Sequence, residues 1–391
     1  MQGNFTFHNP SKIYFGKDAV ENIRGELPKY GPVVQLVYGG GSIKKNGVYD
    51  AVMRILNDCG KTVIDDGGVL PNPTVERLME GREKARANGT DFILAVGGGS
   101  CCDYAKALSV AVWEEDPEDF WFKYYERFEK PAEDAKIVPA GCVLTMVGTG
   151  SEMNMKAVLT NTQKHWKRGG DLGPRAAFKF SVLDPAYTLS LPYDRMVAGA
   201  FDIFVHLCEQ YFSGTDDCVS DDLAEGLMRS VVKNSRRAVL DPQDWEARSN
   251  LMWAAALALS TVFGCGKSGD SMVHQFGQSI GAYTGATHGM TLSATILPYY
   301  RMVLADGLPK YARFAREVWH VDPAGKTERE TAEAGLDALE AWMRELGLVM
   351  HAREIGVTEE MIPGLVEGTR VRGFYRKLTR EEMAQVYRES I

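Results

Sequence analysis

The first half of the chain repeats one unit: a short apolar run ending in glycine, then an amphipathic stretch with helical spacing. VVQLVYGGG (33–41), TVIDDGGV (62–69) and DFILAVGGGS (91–100) are such runs, and IVPAGCVLT (137–145) and FKFSVLDP (178–185) continue the series. Helical patterns lie between them at 48–60, 74–89 and 103–113. Parallel strands need a long crossover, and a crossover helix covers the sheet face, so this alternation predicts a parallel sheet with helices on both sides. The opening run IYFG (13–16) is a further strand, with an antiparallel edge as the alternative to joining the series.

After LDP at 183–185 the period changes. Stretches 219–240, 244–264, 308–319 and 328–347 repeat apolar residues at three and four, the signature of amphipathic helices, and no strand pattern follows. The boundary is placed where Pro185 and Pro192 flank AYTLSL, giving an α/β domain over 1–187 and an all-α domain over 188–391.

Lys and Arg number 44 and Asp and Glu 52, a net charge of 44 − 52 = −8 with no run of like charges, which argues against a nucleic-acid or membrane-surface partner. No apolar segment approaches the ~20 residues that span a bilayer. The first residues lack the basic and apolar regions of a signal peptide, so a cytoplasmic location is expected. Seven cysteines without a CxxC pattern read as reduced thiols, not as a zinc site.

GGGS occurs at 39–42 and 97–100, each time after an apolar run. Glycine lets a backbone approach a phosphate, and a following helix offers free N–H groups. Neither copy is GxGxxG or a P-loop, so on glycine alone a plain strand-to-helix turn is an equal reading. Lys44 and Lys45 follow the first copy where an acidic residue would select NAD, which favours the 2′-phosphate of NADP. Asp202 and His206 are four apart in FDIFVHLCEQ, hence on one helix face; His274 and His288 follow in SMVHQFGQ and GATHGM. Any one of these histidines alone is more often structural. One carboxylate and three imidazoles together suit a borderline divalent ion such as Fe(II) or Zn(II). Phe120, Trp121, Phe122, Tyr124 and Tyr125 form an aromatic cluster read as packing on the helical domain, with a substrate mouth as the alternative.

In order and spacing, GGGSIKKNGVYD (39–50), GGVLPNPTVE (67–76), AVGGGSCCDYAKAL (95–108), GCVLTMVGTGSEMN (141–154), LDPAYTLSLP (183–192), GAFDIFVHLCEQY (199–211) and HQFGQSIGAYTGATHGMTLSATILP (274–298) resemble the iron-containing (group III) alcohol dehydrogenase family. The likeness is greatest to its NADPH-dependent butanol dehydrogenase and aldehyde reductase branch. The resemblance implies a dehydroquinate synthase-like fold, a dinucleotide-binding α/β domain before a helical one. It implies Asp202, His206, His274 and His288 as ligands of a divalent metal, Fe2+ first, with Zn2+ or Mn2+ as alternatives. It implies Gly97, Gly98, Gly99 and Ser100 along the pyrophosphate of NADP(H), with NAD(H) second. Gly39, Gly40, Ser42, Lys44 and Lys45 match the segment that reads the adenosine ribose, and Thr145 and Thr149 the loop beside the cofactor. Asp103 matches a position near nicotinamide and substrate.

One departure is Gln278, where many members carry a histidine that can serve proton transfer; an amide cannot change charge to do so. Asp103, His274 and Gln278 are therefore the catalytic candidates. The implied reaction moves hydride between NADP(H) and a small primary alcohol or aldehyde, butanol- or butanal-like, in a homodimer. The rival readings are a non-dehydrogenase metal enzyme of this fold acting on a phosphorylated sugar-like substrate, and a silent nucleotide-binding homologue. The first needs basic residues near the metal, where only Lys267 comes close in sequence.

Overall fold

The computed structural model describes residues 3–214 and 218–391, which form two compact units. One is His8–Leu191; the other is Pro192–Ile391 with the N-terminal segment up to Phe7. The first unit runs past 187 because Asp184 holds the turn Pro185–Thr188: it accepts from Ala186 N at 3.0 Å and Asp18 N at 2.8 Å. The N-terminal segment goes with the helical unit, where Gly3 N donates to Gly266 O at 3.0 Å.

The first unit contains strands β1 (Lys12–Phe15), β2 (Val33–Tyr38), β3 (Thr62–Asp66), β4 (Phe92–Gly97), β5 (Ala140–Leu144), β6 (Lys156–Asn161), β7 (Trp166–Asp171) and β8 (Phe180–Leu183). Its helices are α1 (Ile23–Glu26), α2 (Ser42–Lys45), α3 (Val48–Asp58), α4 (Val75–Asn88) and α5 (Gly99–Ala111). Six strands form one sheet in the order β1-β8-β5-β4-β2-β3, every pair parallel. The alternation of runs and helices therefore has the expected consequence, and β4 and β5 are buried along their whole length as a doubly covered sheet requires. IYFG is not an antiparallel edge: β1 pairs parallel with β8, Ile13 opposite Ser181. A separate antiparallel hairpin, β6–β7, occupies 156–171.

The chain leaves β2 towards β3 on one side and returns to β4 on the other. That reversal is a topological switch point, where the carboxyl ends of neighbouring strands open a crevice for ligands. Tyr38 stands opposite Val96, so the two GGGS loops follow adjacent strands.

In the second unit the helices are α6 (Tyr193–Tyr211), α7 (Val219–Leu240), α8 (Trp245–Ala258), α9 (Met272–Thr284), α10 (His288–Val303), α11 (Leu308–Trp319), α12 (Glu328–Glu345), α13 (Ile362–Gly368) and α14 (Arg380–Ser390). No strand occurs there among the described residues. α6 is buried on every side from Met196 to Glu209, which makes it the central helix of the unit. Among the described residues, no helix is long and apolar enough to cross a membrane.

α6 and α10 meet at Gly289, where a Cβ would overlap the carbonyl of Ala198. Only glycine lets the two backbones approach so closely. Gly289→Ala should push α10 away from α6 and destabilise the protein by about 1–3 kcal/mol, the usual penalty of overpacking. Urea unfolding checks this; a midpoint equal to that of the parent would show that the contact can relax.

Candidate functional site

The close contact at Gly289 fixes the start of α10, and His288 is the first residue of that helix. α6 presents Asp202 and His206 one turn apart, and α9 supplies His274. Nε2 of His206, His274 and His288 lies 3.6, 3.4 and 3.8 Å from Oδ1 of Asp202. The rings of His206 and His274 stack with centroids 4.6 Å apart, and those of His274 and His288 are 5.3 Å apart. Donor atoms of Asp202, His206 and His274 all fall within 4.8 Å of one another.

These separations exceed ordinary N–H···O lengths. Asp202 Oδ1 and His274 Nε2 are buried without a hydrogen-bond partner among the described residues. Two facing polar atoms left so would be expensive, and a shared cation satisfies both. One carboxylate and three imidazoles are the donor set of a borderline divalent ion, so the residues fit such an ion.

Burial opposes the charge on Asp202, yet His206, His288 and His274 hold its carboxyl well below the usual range. Burial likewise opposes a charge on His274, but Glu209 and Asp202 outweigh it and push the ring up to about 10. Glu209 was not singled out in the sequence. Its Oε2 meets His274 Nδ1 at 2.6 Å and its Oε1 accepts from His274 N at 2.9 Å. Its signal was a carboxylate on the apolar helix FDIFVHLCEQ, where a buried acid needs a partner. Asp270 supports it: Asp270 N donates to Glu209 O at 2.7 Å, while its carboxylate accepts from Met272 N, Phe374 N and Tyr299 OH. Gln278 is buried one turn after His274 on α9.

In the first unit, α5 begins at Gly99, ahead of the helical pattern read at 103–113, and no side chain caps its N-terminus. Its first N–H groups are thus available to an anion. A Cβ on Gly99 would overlap Thr149, and Thr145 N donates to Gly97 O at 2.9 Å, so the two threonine positions lie against the glycine turn. A cradle this tight, ending in an uncapped helix, fits a pyrophosphate.

Asp103 is not an open acid. Its Oδ1 accepts from Ser151 Oγ at 2.5 Å and its Oδ2 from Val158 N at 3.0 Å. Lys106, fully buried, donates to Ser151 O at 2.8 Å and Asn154 O at 3.3 Å. Both side chains fasten the 151–158 segment to α5, and sequence reasoning had not marked Lys106. At the other GGGS, Gly39 and Gly40 lead to Ser42 and Lys45, both exposed. Lys44 differs from Lys45: its ammonium lies 4.7 Å from the ring centroids of both Tyr38 and Tyr49. Apart from the exposed Phe122, the aromatic cluster packs inside the first unit, with Phe120 and Tyr125 fully buried and the Tyr124–Tyr125 pair against Gly170 of β7.

A glycine-turn cradle at a strand switch and a cluster of one aspartate with three histidines are what a metal- and dinucleotide-dependent oxidoreductase of dehydroquinate synthase-like fold would need. Comparison with known proteins carries this further. The model "Iron-containing alcohol dehydrogenase" matches residues 10–185, and "Fe-containing alcohol dehydrogenase family, C-terminal" matches 196–391. NADH-dependent butanol dehydrogenase A of Clostridium acetobutylicum is 33% identical over 99% of this chain and 99% of its own length. NADPH-dependent aldehyde reductase YqhD of Escherichia coli is 34% identical over 93% of this chain and 92% of its own. The crystal structure of NADH-dependent butanol dehydrogenase A from Thermotoga maritima superposes with a TM-score of 0.93 at 31% identity, covering 100% of this chain and 99% of that one. The chain belongs to the iron-containing alcohol dehydrogenase family and is an oxidoreductase of that type.

The raised His274 has a consequence for the metal-free protein. A group at about 10 when folded and about 6.5 when unfolded adds stability that is complete below pH 6.5 and is lost as pH rises through 10. The chelated protein should therefore lose thermal stability between pH 6.5 and 10 more steeply than its His274→Ala variant. Parallel pH profiles of the two melting temperatures would refute the coupling.

Proposed function

We propose that this alcohol dehydrogenase or aldehyde reductase works with NADPH and a divalent ion held by Asp202, His206, His274 and His288, on small aldehydes and primary alcohols such as butanal and butanol. The observation that carries the reading is the cluster of these four side chains, Asp202, His206 and His274 buried and His288 partly exposed, with its unsatisfied Asp202 Oδ1 and His274 Nε2. The bound ion supplies Lewis acidity toward a carbonyl, and the nicotinamide supplies hydride. Fe2+ is proposed first, with Zn2+ and Mn2+ as alternatives.

The chain's own contribution is placement. Gly97, Gly98, Gly99 and Ser100 present the α5 N-terminus to the pyrophosphate, with Thr145 and Thr149 beside it. Asp103 acts by holding the 151–158 segment, since both its oxygens are engaged. Gln278 cannot carry a proton by changing charge, which leaves proton transfer to water or another group. NADPH is favoured because Gly39 carries no acid and Lys45 is exposed nearby, while Lys44 is drawn to two tyrosine rings. Of the relatives named above, the two butanol dehydrogenases are named for NADH and the aldehyde reductase for NADPH. A homodimer is proposed on the resemblance. The phosphorylated-sugar reading loses its best residue, because Lys267 is buried in an ion pair with Asp221.

Protein prepared without oxygen and supplied with Fe(II), then Zn(II), should oxidise NADPH with butanal and stop on chelation. Bound metal and NADPH without turnover would move the reading to a narrower substrate or a silent homologue. His288→Ala should lose the metal and most turnover while keeping the far-UV CD spectrum; retained metal would sink the ligand set. Gly39→Asp has room, its Cβ lying 3.4 Å from Val69 O. Setting a carboxylate against the 2′-phosphate, a like-charge contact of about 1.5–3 kcal/mol, should lower the NADPH/NADH ratio of kcat/KM by about ten- to a hundredfold. An unchanged ratio would show that preference is set elsewhere.

A further inference from the structure

We infer that Glu209 is a positioning residue for the metal, fixing which nitrogen of His274 faces the ion. The inference rests on the reading of Asp202, His206, His274 and His288 as the ligand set. His274 is the third residue of α9, and Ser271, at the cap, makes no side-chain capping bond. The amide of that third residue is one of the groups a helix leaves unsatisfied. Glu209 Oε1 takes it at 2.9 Å, and Oε2 takes Nδ1 of the same residue at 2.6 Å. One carboxylate, itself 5% exposed, thus grips the backbone and the ring of one histidine, and the ring cannot turn without breaking the pair.

The chemistry of the grip is directional. A carboxylate only accepts, so Nδ1 must carry hydrogen and Nε2, the atom 3.4 Å from Asp202, is the nitrogen offered to an ion. Glu209 also completes the charge. A divalent ion with Asp202 alone would leave positive charge in a buried site, and Glu209 brings a second carboxylate to offset it. Asp270, tied to Glu209 O, Met272 N and Phe374 N, holds this arrangement from behind.

Glu209→Gln keeps the size and loses the directionality. If its oxygen stays on the backbone amide, its NH2 faces Nδ1 and drives the ring proton to Nε2, where the lone pair is needed. Co(II) and Zn(II) affinity, measured on the full metal-free chain by chelator competition, should fall about 10- to 100-fold, the usual effect of losing such a partner. The visible spectrum of bound Co(II) should change as well, which a merely structural role would not require. Glu209→Asp keeps an acceptor-only group on a shorter stem; it should retain the Co(II) band positions with a smaller loss of affinity. Parent-like affinity and spectrum in Glu209→Gln would overturn the role. Should that variant fail to fold, Glu209→Asp decides: parent-like affinity there overturns it, weaker affinity with unshifted bands supports it. If the parent chain itself binds neither ion, the ligand set falls and not merely the role of Glu209.

Discussion

A carboxylate buried among three imidazoles is the constraint on which the second unit is arranged. Asp202 sits at 3% exposure on a helix buried along most of its length, where an uncompensated charge would be severely unfavourable. Compensation comes from three directions: His206 from the next turn, His274 from α9 and His288 from the first position of α10. Each demands a backbone in a particular place. Gly289 allows α10 to come close enough, and Glu209 sets the orientation of the α9 donor. Packing and electrostatics are thus one problem in this unit.

In the first unit the governing constraint is connectivity. A parallel sheet whose chain reverses direction between β2 and β4 leaves two strand ends side by side, and both end in glycine turns. The turn at Gly97–Ser100 is held tight by Thr149 and by the segment that Asp103 and Lys106 pin to α5. Burying a lysine and an aspartate to anchor one loop is a demanding solution. It makes sense if that loop must stay registered against the helix N-terminus to about an ångström.

Much of this is legible in the residues. β4 and β5 stand out as unbroken apolar runs, β2 as one interrupted only by Gln35, and the helical second half by its period. The four donors are visible by type, because a helix places residues four apart on one face and histidines are few. What stays hidden depends on contacts distant in sequence. The β6–β7 hairpin carries WKRGGD, whose glycines and charges carry no strand pattern; Gly170 is there because Tyr124 and Tyr125 pack on it. β1 has no local signal that selects β8 as a parallel partner. Asp103 reads as an acid near the chemistry until Ser151 and the Val158 amide are seen on it. Lys44 and Lys45 look alike until Tyr38 and Tyr49 separate them. Glu209 is one letter among FDIFVHLCEQ, and only the fold shows that it faces a residue 65 positions away.

The division of the chain also orders events at the ribosome. The α/β unit, His8–Leu191, is one uninterrupted stretch and can complete its sheet while the rest is still being made. The helical unit has no such freedom. Its first piece, around Gly3, precedes the α/β unit in the chain and must wait for Gly266. Its donor cluster remains incomplete until His288 has left the tunnel. The four side chains can therefore come together only after the start of α10 has been made.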